Sequence, residues 1–491
     1  MKAGDMTLRN AHNWKAVAQW TEDGYYTLQT EDTGEVPVRL FLTPALLAEA
    51  EDILYQQIVN AARFPGVKLV AIMPDTHYGY GVPVGCVIVT DAQHGAVAMG
   101  PVGFDIGCGM MSARSDVPAE AATLEKRLAF NRAVMERVEM GVGGKRKHHR
   151  LGKVSEREFQ NLVRGGAEYY VQKYGATFDR SRAERHRIPV DDDWQIPWGG
   201  KGRPERGIEE LGSLGAGNHF MELQRCEQTG TLFVQVHTGS RGFGHGLATN
   251  YFELARQERP REITHIDLGY FLPDSKHYRE YLNAVAAGGN YAILNRLIIF
   301  EQVAEAFREV FHADLELVYE ISHNLVQREW HPQFGEVLVH RKGATRAFPA
   351  GHPGLVGTMW EQTGHPVLIP GSNKDYSFIL RPLPGAVKSA FSVNHGSGRR
   401  LSRGEAFRRF SQQEMDAEYR AAGILVNADG HVPLDEAAPC YKPAREVVAA
   451  VTGAGLARVE YELWPLSSLK GTEEDSSAAR RARKAAQQAK R

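Results

Sequence analysis

The sequence has few cysteines, no long apolar run and almost no net charge. Its four cysteines are far apart in 491 residues and lack the spacing of a disulfide framework, which excludes a disulfide-stabilised secreted scaffold. No stretch approaches the roughly 18–20 apolar residues that cross a bilayer. The first residues, MKAGDMTLRNAHNW, lack the apolar core of a signal peptide. We therefore expect a cytoplasmic protein without a membrane partner.

The formal net charge of −1 excludes a global field that would attract nucleic acid, so a polyanion would have to meet a local basic patch. A hydrophobic fraction of 43% and a charged fraction of 24% are ordinary for a globular protein, and the length allows a large core. Strand-like and helical stretches follow one another without regular βαβ alternation, which predicts an α+β fold.

Several elements can be predicted locally. Thr43 as N-cap and Pro44 at the first helical position predict one helix that continues to about residue 61. The run VKLVAIMPDTHYGYGVPVGCVIVTD predicts two buried strands around a polar, Gly-rich connector. Before this run, Val36, Val38 and Leu40 alternate as in a strand. Pro37 lies inside that stretch, so we expect an edge strand at best. Residues 472–491 have few apolar residues and end in basic ones, so we expect a disordered or fraying helical tail.

The segment GPVGFDIGCGMMSAR, Gly100–Arg114, places a carboxylate and a thiol three residues apart among glycines. Asp105 is a hard ligand and Cys108 a soft one, and a Gly-rich loop can bring both to a metal. The alternative is a tight turn with one buried cysteine that packs as a small apolar side chain. This segment alone does not decide between the two.

Three later histidines favour the metal site: His219, His237 and His323 each lie in a Gly- or Asn-containing setting. One Cys with three His would suit a closed structural zinc site, but such sites usually draw their ligands in close pairs. Ligands spread over separate loops, with a carboxylate beside the thiolate, favour a catalytic centre and allow two metals bridged by the cysteine. Each histidine taken alone is better explained as an ordinary core or surface residue.

Basic residues in Gly-containing loops suggest a phosphate-rich substrate, because exposed backbone N–H groups and forked guanidinium donors suit phosphates. These residues are Arg241, Arg341, Lys342, Arg346, Arg399 and Arg400. A denser basic segment could contact a phosphate backbone or be a solvated loop; it comprises Lys145, Arg146, Lys147, His148, His149, Arg150 and Lys153.

His395 lies between flexible residues and two arginines in SVNHGSGRR. Neighbouring cations disfavour the imidazolium, so the neutral ring is available as a nucleophile toward phosphorus. A core histidine or a general base would have the same local sequence.

Together, these motifs resemble those of the RtcB family of RNA-splicing ligases, and the resemblance extends from Met73 to Gly471. The matching runs are PDTHYGYGVPVG, VGFDIGCGM, GAGNHF, VHTGSRGFGH, SHN, HRKGATRAFP, IPGS, HGSGR and LKG. The resemblance implies one ligase domain over residues 1–471, with packed β-sheets surrounded by helices and the active site in a central cleft.

The resemblance also implies an activity: a GTP- and Mn²⁺-dependent ligase joins an RNA 3′-phosphate or 2′,3′-cyclic phosphate to a 5′-hydroxyl, in tRNA splicing or RNA repair. Two Mn²⁺ ions per subunit would be held by Asp105, Cys108 and His219 and by Cys108, His237 and His323. His395 would accept GMP before the guanylyl group passes to the RNA end. An archease-type activator is a candidate partner.

Further residues are assigned by the same resemblance. Phe220 and Tyr441 would sandwich the guanine, and Lys470 would reach it from the end of the matching region. The full set of nucleotide contacts would be Asn218, Phe220, Glu222, Asn324, Ser372, Ser377, His395, Gly396, Gly398, Tyr441 and Lys470. Our candidates for RNA and phosphate contacts are Arg241, Lys342 and Arg399.

The chain departs from the family pattern in three places, one of which is the basic tail after Lys470. After Ser372 the family usually continues with Met-Gly, but here Asn373-Lys374-Asp375 follows, and Ser397 replaces a usual Ala. These changes suggest a divergent paralogue. A metal-dependent RNA cyclic phosphodiesterase without ligation is the alternative activity, and an RNA-binding protein with a purely structural metal is a third interpretation.

Overall fold

The computed structural model describes residues 8–144, 151–183, 187–263 and 265–471. Residues 145–150 of the basic segment and the tail at residues 472–491 lie outside these ranges, so both predictions stay predictions.

The β-strands are β1 Gln19–Trp20, β2 Tyr26–Thr27, β3 Val38–Leu40, β4 Val67–His77, β5 Val84–Asp91, β6 Val97–Ala98, β7 Gly109–Pro118, β8 Phe220–Cys226, β9 Thr231–Thr238, β10 Tyr270–Phe271, β11 Glu316–Ser322, β12 Asn324–His331, β13 Gly335–Lys342, β14 Ala344–Arg346, β15 Val367–Ile369, β16 Ser377–Pro382, β17 Ser392–Asn394, β18 Leu425–Val426 and β19 Ala457–Lys470.

The α-helices are α1 Trp14–Val17, α2 Pro44–Glu49, α3 Leu54–Ala62, α4 Leu124–Arg137, α5 Glu156–Tyr174, α6 Gly207–Glu210, α7 Arg241–Glu258, α8 Lys276–Phe311, α9 Arg403–Arg409, α10 Gln412–Ala421 and α11 Ala444–Gly453. No helix of the described ranges is both long and apolar enough to cross a bilayer.

Two large sheets organise the chain. A seven-stranded sheet has the order β1-β2-β3-β4-β5-β13-β12. An eight-stranded sheet has the order β11-β7-β9-β8-β19-β16-β15, with β18 paired to β19 outside this path. Most neighbouring strands are antiparallel; β3 with β4 and β18 with β19 are parallel pairs. Two short pairs, β6 with β10 and β14 with β17, complete the described sheets.

The two sheets pack face to face, as the alternation of side chains along β4 makes clear. Leu69, Ala71 and Met73 belong to the core between the sheets, whereas Val70 and Ile72 belong to a second core on the opposite face. Successive side chains of a strand point to opposite faces, so a strand buried on both faces is apolar throughout. That is why the sequence of β4 shows a continuous apolar run.

Helices cover the outer face of each sheet. Helices α2 and α3 pack on the seven-stranded sheet, and α4, α5, α7 and α8 pack on the eight-stranded sheet. The result is four layers, helix–sheet–sheet–helix. The predicted α+β class with packed sheets surrounded by helices is confirmed.

Two local predictions were wrong in detail. The helix expected from Thr43 begins as predicted, with the Thr43 hydroxyl accepting the Leu46 N–H at 3.2 Å, but it ends at Glu49 and a second helix begins at Leu54. Strand β3 is not an edge strand, because it lies between β2 and β4. Pro37 immediately precedes it and offers only its carbonyl, which accepts the N–H of Val70 at 3.0 Å, so its missing N–H costs no ladder bond.

Candidate active site

Strands β11, β7, β9 and β8 are neighbours in the eight-stranded sheet, and one end of each lies in the same row. Ser322 at the end of β11 is opposite Gly109 at the start of β7, and Gly109 is opposite Thr238 at the end of β9. Phe220 at the start of β8 is opposite His237. The predicted metal ligands lie within this row or directly beside it. The sheet therefore brings together residues that are far apart in the sequence.

The predicted ligands form two groups that share Cys108. Asp105, Cys108 and His219 make one group, and Cys108, His237 and His323 the other; within each, one ligand atom per residue lies within 4.8 Å of the others. Cys108 Sγ is 3.6 Å from His219 Nε2 and 3.3 Å from His237 Nε2. His237 Nε2 is 3.3 Å from His323 Nε2. A shared thiol between two groups has the arrangement of a bridging ligand.

Two of the imidazoles are oriented by backbone carbonyls. His219 Nδ1 donates to the carbonyl of Leu214 at 3.0 Å, and His237 Nδ1 donates to the carbonyl of Asn218 at 2.8 Å. A carbonyl only accepts, so Nδ1 of each ring carries a proton, and Nε2 of each ring faces Cys108. Burial lowers the pKa of both His237 and His323 well below the ordinary value. The rings of His237 and His323 are therefore neutral, as metal ligation requires.

The acidic groups fit a cation as well. Burial alone would raise the pKa of Asp105, but contact with His219, 3.0 Å away, outweighs burial and holds that pKa far below its usual range. Burial and the charge of Asp105 raise the pKa of the Cys108 thiol well above its usual value. A bound cation would therefore have to displace the thiol proton. Hard and soft donors around one position suit a transition metal.

A buried arginine connects the loops that carry the ligands. Arg296 of α8 forms a fully buried ion pair with Glu320. Its guanidinium also donates to the carbonyls of Gly107 and Thr238 and to the hydroxyl of Ser322, each at 2.8 Å. Each of these three residues adjoins one predicted metal ligand. Arg296 therefore fixes the spacing of three strand ends.

His395 lies beside the metal groups. Its ring centroid is 4.8 Å from that of His323. His395 Nδ1 is 2.5 Å from Oδ2 of Asp75, a close contact without the alignment of a hydrogen bond, and the same oxygen accepts the N–H groups of His395 and Gly396 at 3.0 and 3.2 Å. Asp75 is fully buried. Gly398, at φ +77°, permits this contact, because a Cβ there would lie 2.0 Å from the Asp75 carbonyl oxygen.

Asp75 is the functional candidate that sequence reasoning missed. The sequence marks it only as an acidic residue in a polar connector, 320 positions before His395. No local spacing relates the two. Their contact depends on β4 and the segment after β17 meeting in the folded chain.

One cavity of about 540 Å³ contains most of the predicted site residues. The predicted residues that line it are Asp105, Cys108, Asn218, Phe220, Glu222, His237, His323, Asn324, Lys342, Ser372, His395, Gly396, Gly398, Arg399, Tyr441 and Lys470. Its size suits a nucleotide-sized ligand. His219, Ser377 and Arg241 are outside this lining.

Aromatic and charged residues form another part of the cavity. Lys470 Nζ is 5.4 Å from the centre of the Phe220 ring and donates to Glu436 at 3.2 Å. Tyr441 is hydrogen-bonded to the same carboxylate. Burial raises the pKa of Glu222 to about 8, so this carboxyl group is mostly protonated near neutral pH. The two aromatic residues that the resemblance assigns to guanine thus line one cavity with His395.

Two residues that are predicted to contact the nucleotide form hydrogen bonds within the protein. Ser377 is fully buried and accepts the N–H of Gly371 at 3.0 Å. Asn324 accepts the N–H of Gly343 and donates to the Asp105 carbonyl. The roles of both in nucleotide binding stay predictions.

The basic candidates differ in position. Lys342 lines the cavity, donates to the Tyr80 carbonyl at 3.0 Å and has its pKa lowered to about 8 by burial. Arg399 also lines it and donates to Glu436 at 3.2 Å. Arg241 contacts Ser213 and the Gly141 carbonyl behind the metal groups.

The loop that departs from the family pattern is tied to the helices near it. Asn373 lines the cavity and its side-chain oxygen accepts the Tyr419 hydroxyl at 2.5 Å. Lys374 pairs with Glu418, and Asp375 accepts the N–H of Ala444 at 2.8 Å. The substituted residues therefore anchor this loop to α10 and α11.

Comparison with known proteins places these features in a family. A family model described as tRNA-splicing ligase RtcB matches residues 57–471. The tRNA-splicing ligase RtcB of Pyrobaculum aerophilum is 34% identical over 475 residues, covering 89% of this chain and 95% of the relative. That of Archaeoglobus fulgidus is 35% identical, with 89% and 95% covered. The RNA-splicing ligase RtcB of Mycobacterium tuberculosis is 34% identical, with 84% and 100% covered.

Proposed function

The chain belongs to the RtcB family of RNA-splicing ligases, and from this premise we propose that it is a GTP- and Mn²⁺-dependent RNA ligase. It joins an RNA 3′-phosphate to a 5′-hydroxyl through a histidine–GMP intermediate. A 2′,3′-cyclic phosphate is first hydrolysed to the 3′-phosphate in the same cavity. The relatives are named for tRNA splicing, so tRNA halves are the first substrate to test, and broken RNA with the same ends is the second.

One observation carries the proposal: the His395 ring lies 4.8 Å from a predicted metal ligand while its Nδ1 contacts buried Asp75. Because Nδ1 faces Asp75, Nε2 is the nitrogen available for attack. A buried carboxylate at Nδ1 orients the ring and favours positive charge on it as a bond to phosphorus forms. This is the arrangement that a nucleophilic histidine needs.

The residues present fit two cations: Asp105, Cys108 and His219 would hold one, and Cys108, His237 and His323 the other. When bound, Mn²⁺ would neutralise phosphate charge and favour departure of pyrophosphate. Burial keeps His237 and His323 neutral, and carbonyl acceptors orient the rings of His219 and His237. Phe220 and Tyr441 give the guanine two aromatic surfaces.

The chemistry at His395 is balanced as follows. Nε2 forms a bond to the α-phosphorus of GTP, and the bond to the bridging oxygen breaks, which releases pyrophosphate. An oxygen of the RNA 3′-phosphate then takes the guanylyl group and frees His395. Finally, the RNA 5′-hydroxyl attacks the activated phosphate, loses its proton and displaces GMP. One phosphoanhydride bond of GTP is thus consumed for each phosphodiester formed, and the other products are pyrophosphate and GMP.

The testing experiment is covalent labelling with GTP that carries its label on the α-phosphate, in the presence of Mn²⁺. We expect label on the wild-type protein and none on His395→Ala. Asp75→Asn keeps an oxygen for the backbone N–H groups but removes the charge, so it should label about 10²- to 10⁴-fold more slowly, the range seen when an orienting carboxylate or proton-transfer group is altered.

Circular dichroism of the three proteins checks that the variants are folded. Equal labelling of wild type and His395→Ala would reject the proposed nucleophile. If no nucleotide labels the wild type while RNA with a cyclic phosphate is still opened, the protein is a cyclic phosphodiesterase instead.

A further inference from the structure

Two exposed tyrosines line the catalytic cavity. Tyr78 is 51% exposed and Tyr80 is 70% exposed, although both contribute to the wall that also contains His395. Of the large apolar side chains exposed on the described surface, these are the two that line this cavity. They are not the two aromatic residues assigned to the guanine. Those residues, Phe220 and Tyr441, are less exposed to solvent.

The loop that carries them is fixed by the side chains around it. Gln57 of α3 accepts the N–H of Gly79 at 3.0 Å and donates to the Gly79 carbonyl at 2.5 Å. Asn60, one turn further along the helix, donates to the Gly81 carbonyl at 2.8 Å.

The tyrosines' own backbone is held as well. Glu51 accepts the N–H of Tyr78 at 3.0 Å, and Lys342 donates to the Tyr80 carbonyl at 3.0 Å. A Cβ on Gly79 would lie 2.4 Å from the Val82 carbonyl oxygen, so this tight path needs glycine between the tyrosines. The backbone is therefore ordered while both rings remain accessible to solvent.

Exposed aromatic rings on a fixed backbone suit one class of ligand in an RNA ligase. Aromatic side chains stack on unpaired nucleobases, and a platform held in advance loses less entropy on binding. We propose that Tyr78 and Tyr80 form a stacking platform for an unpaired nucleobase at an RNA end that enters the cavity. This inference rests on the proposed function.

The platform adds a requirement on the substrate. A base inside a duplex has both faces covered by its neighbours, so we expect the terminal nucleotides next to the junction to be single-stranded when one of them stacks on the tyrosines. The base can belong to the 3′-phosphate strand or to the 5′-hydroxyl strand. Both supply the same π-face, and separate oligonucleotides distinguish them.

The test is fluorescence anisotropy with two short single-stranded RNAs, one ending in a 3′-phosphate and one in a 5′-hydroxyl, each labelled at its other end. Each RNA is also made with an abasic terminal nucleotide. The proteins are wild type, Tyr78→Ala, Tyr80→Ala, the two Tyr→Phe variants and Trp20→Ala. Trp20 is 55% exposed on β1 and lies outside the cavity, so it is the matched control.

We expect at least one alanine variant to bind one of the RNAs roughly five- to hundred-fold more weakly, the range for one lost base–aromatic stack. The phenylalanine variants should bind like wild type, because the ring is kept. On abasic RNA, the alanine variant and wild type should bind equally. The RNA that shows the loss identifies the strand that stacks.

Unchanged binding in both alanine variants, or an equal loss in Trp20→Ala, would overturn the platform. So would a loss that persists on abasic RNA, because it would not be a loss of stacking. The proposed function is tested separately by GTP labelling of wild type, which needs no RNA. A wild type that labels normally but shows no tyrosine effect leaves the ligase proposal intact and rejects only this inference.

Discussion

The carboxyl group of Glu222 is buried. Burial raises its pKa from 4.5 to about 8, while a hydrogen bond from Gln224 at 2.9 Å and the charge of Lys470 oppose the shift. In the unfolded chain the group ionises near its ordinary value. Between the two pKa values the folded protein therefore holds more protons than the unfolded one, and stability falls as pH rises.

This gives a prediction for Glu222→Gln in the protein free of metal and nucleotide. As pH rises from 5.5 to 7.5, ionisation of Glu222 should lower the unfolding free energy of the wild type by on the order of 2 kcal/mol. Glutamine does not ionise, so the variant should not show this decrease. The measurement is urea unfolding at both pH values. Glu125→Gln, on the exposed surface, is the control and should follow wild type. Parallel pH profiles for Glu222→Gln and wild type would contradict the assigned burial effect.

At the scale of elements, helix α8 does more than cover the eight-stranded sheet. Its Arg296 holds the strand ends that carry Cys108, His237 and His323 through the bonds described above. The fully buried pair with Glu320 means that loss of the arginine leaves a carboxylate without its charge partner. The stability of the fold and the spacing of the predicted ligands thus depend on one side chain.

We predict that Arg296→Met lowers the unfolding free energy by about 3–5 kcal/mol, as expected when one partner of a buried pair is removed, and also weakens cation binding. Arg341→Met is the matched control, because Arg341 forms a similarly buried pair with Glu329 at 2.6 Å but contacts Ser392 and not the ligand loops. Denaturant unfolding measures stability, and the thiolate absorbance that appears on Cd²⁺ titration measures binding. Equal loss of Cd²⁺ affinity in both variants would show that Arg296 acts through general stability alone.

The predicted metal ligands are recognisable in the sequence as local signals, because each lies within two residues of a glycine or an asparagine. It does not contain their partners in the same way. Arg296 appears only as a charged residue inside the apolar stretch of α8, and its contacts come from three other segments. The role proposed for Asp75 likewise depends on its contact with His395, 320 residues away in the sequence. Such long-range contacts depend on sheet order, which periodicity does not specify.

The same limit applies to the elements. Strands β4 and β5 could be predicted because burial on both faces makes their sequences apolar. The break between α2 and α3 could not, because Leu54 and Ile58 continue a helical apolar pattern across it. The interior position of β3 depends on its pairing with β4, which the proline before it does not reveal.

At the scale of the whole molecule, the predicted metal ligands connect distant parts of the chain, from Asp105 to His323. An unfolded chain cannot present them together, so a cation that binds them stabilises the fold by mass action. At a free Mn²⁺ concentration 100-fold above its dissociation constant, each site should add about 2.7 kcal/mol to the unfolding free energy.

Thermal unfolding with and without Mn²⁺ measures this gain. Cys108→Ser should lose most of it, because Cys108 belongs to both groups. Cys226→Ser, a buried cysteine outside both groups, should keep it. A Mn²⁺-induced shift of equal size in the two variants would place the bound ions elsewhere.

Strand β19 follows every other described strand in the sequence, yet it lies between β8 and β16 in the middle of the eight-stranded sheet. A ribosome therefore synthesises both neighbours long before it delivers the strand that joins them. Until then β8 and β16 each have an unpaired edge, the kind of edge that templates pairing with other chains. We expect chaperones to bind the nascent chain until β19 has been synthesised. A chain truncated before residue 457 should aggregate, because both edges stay unpaired.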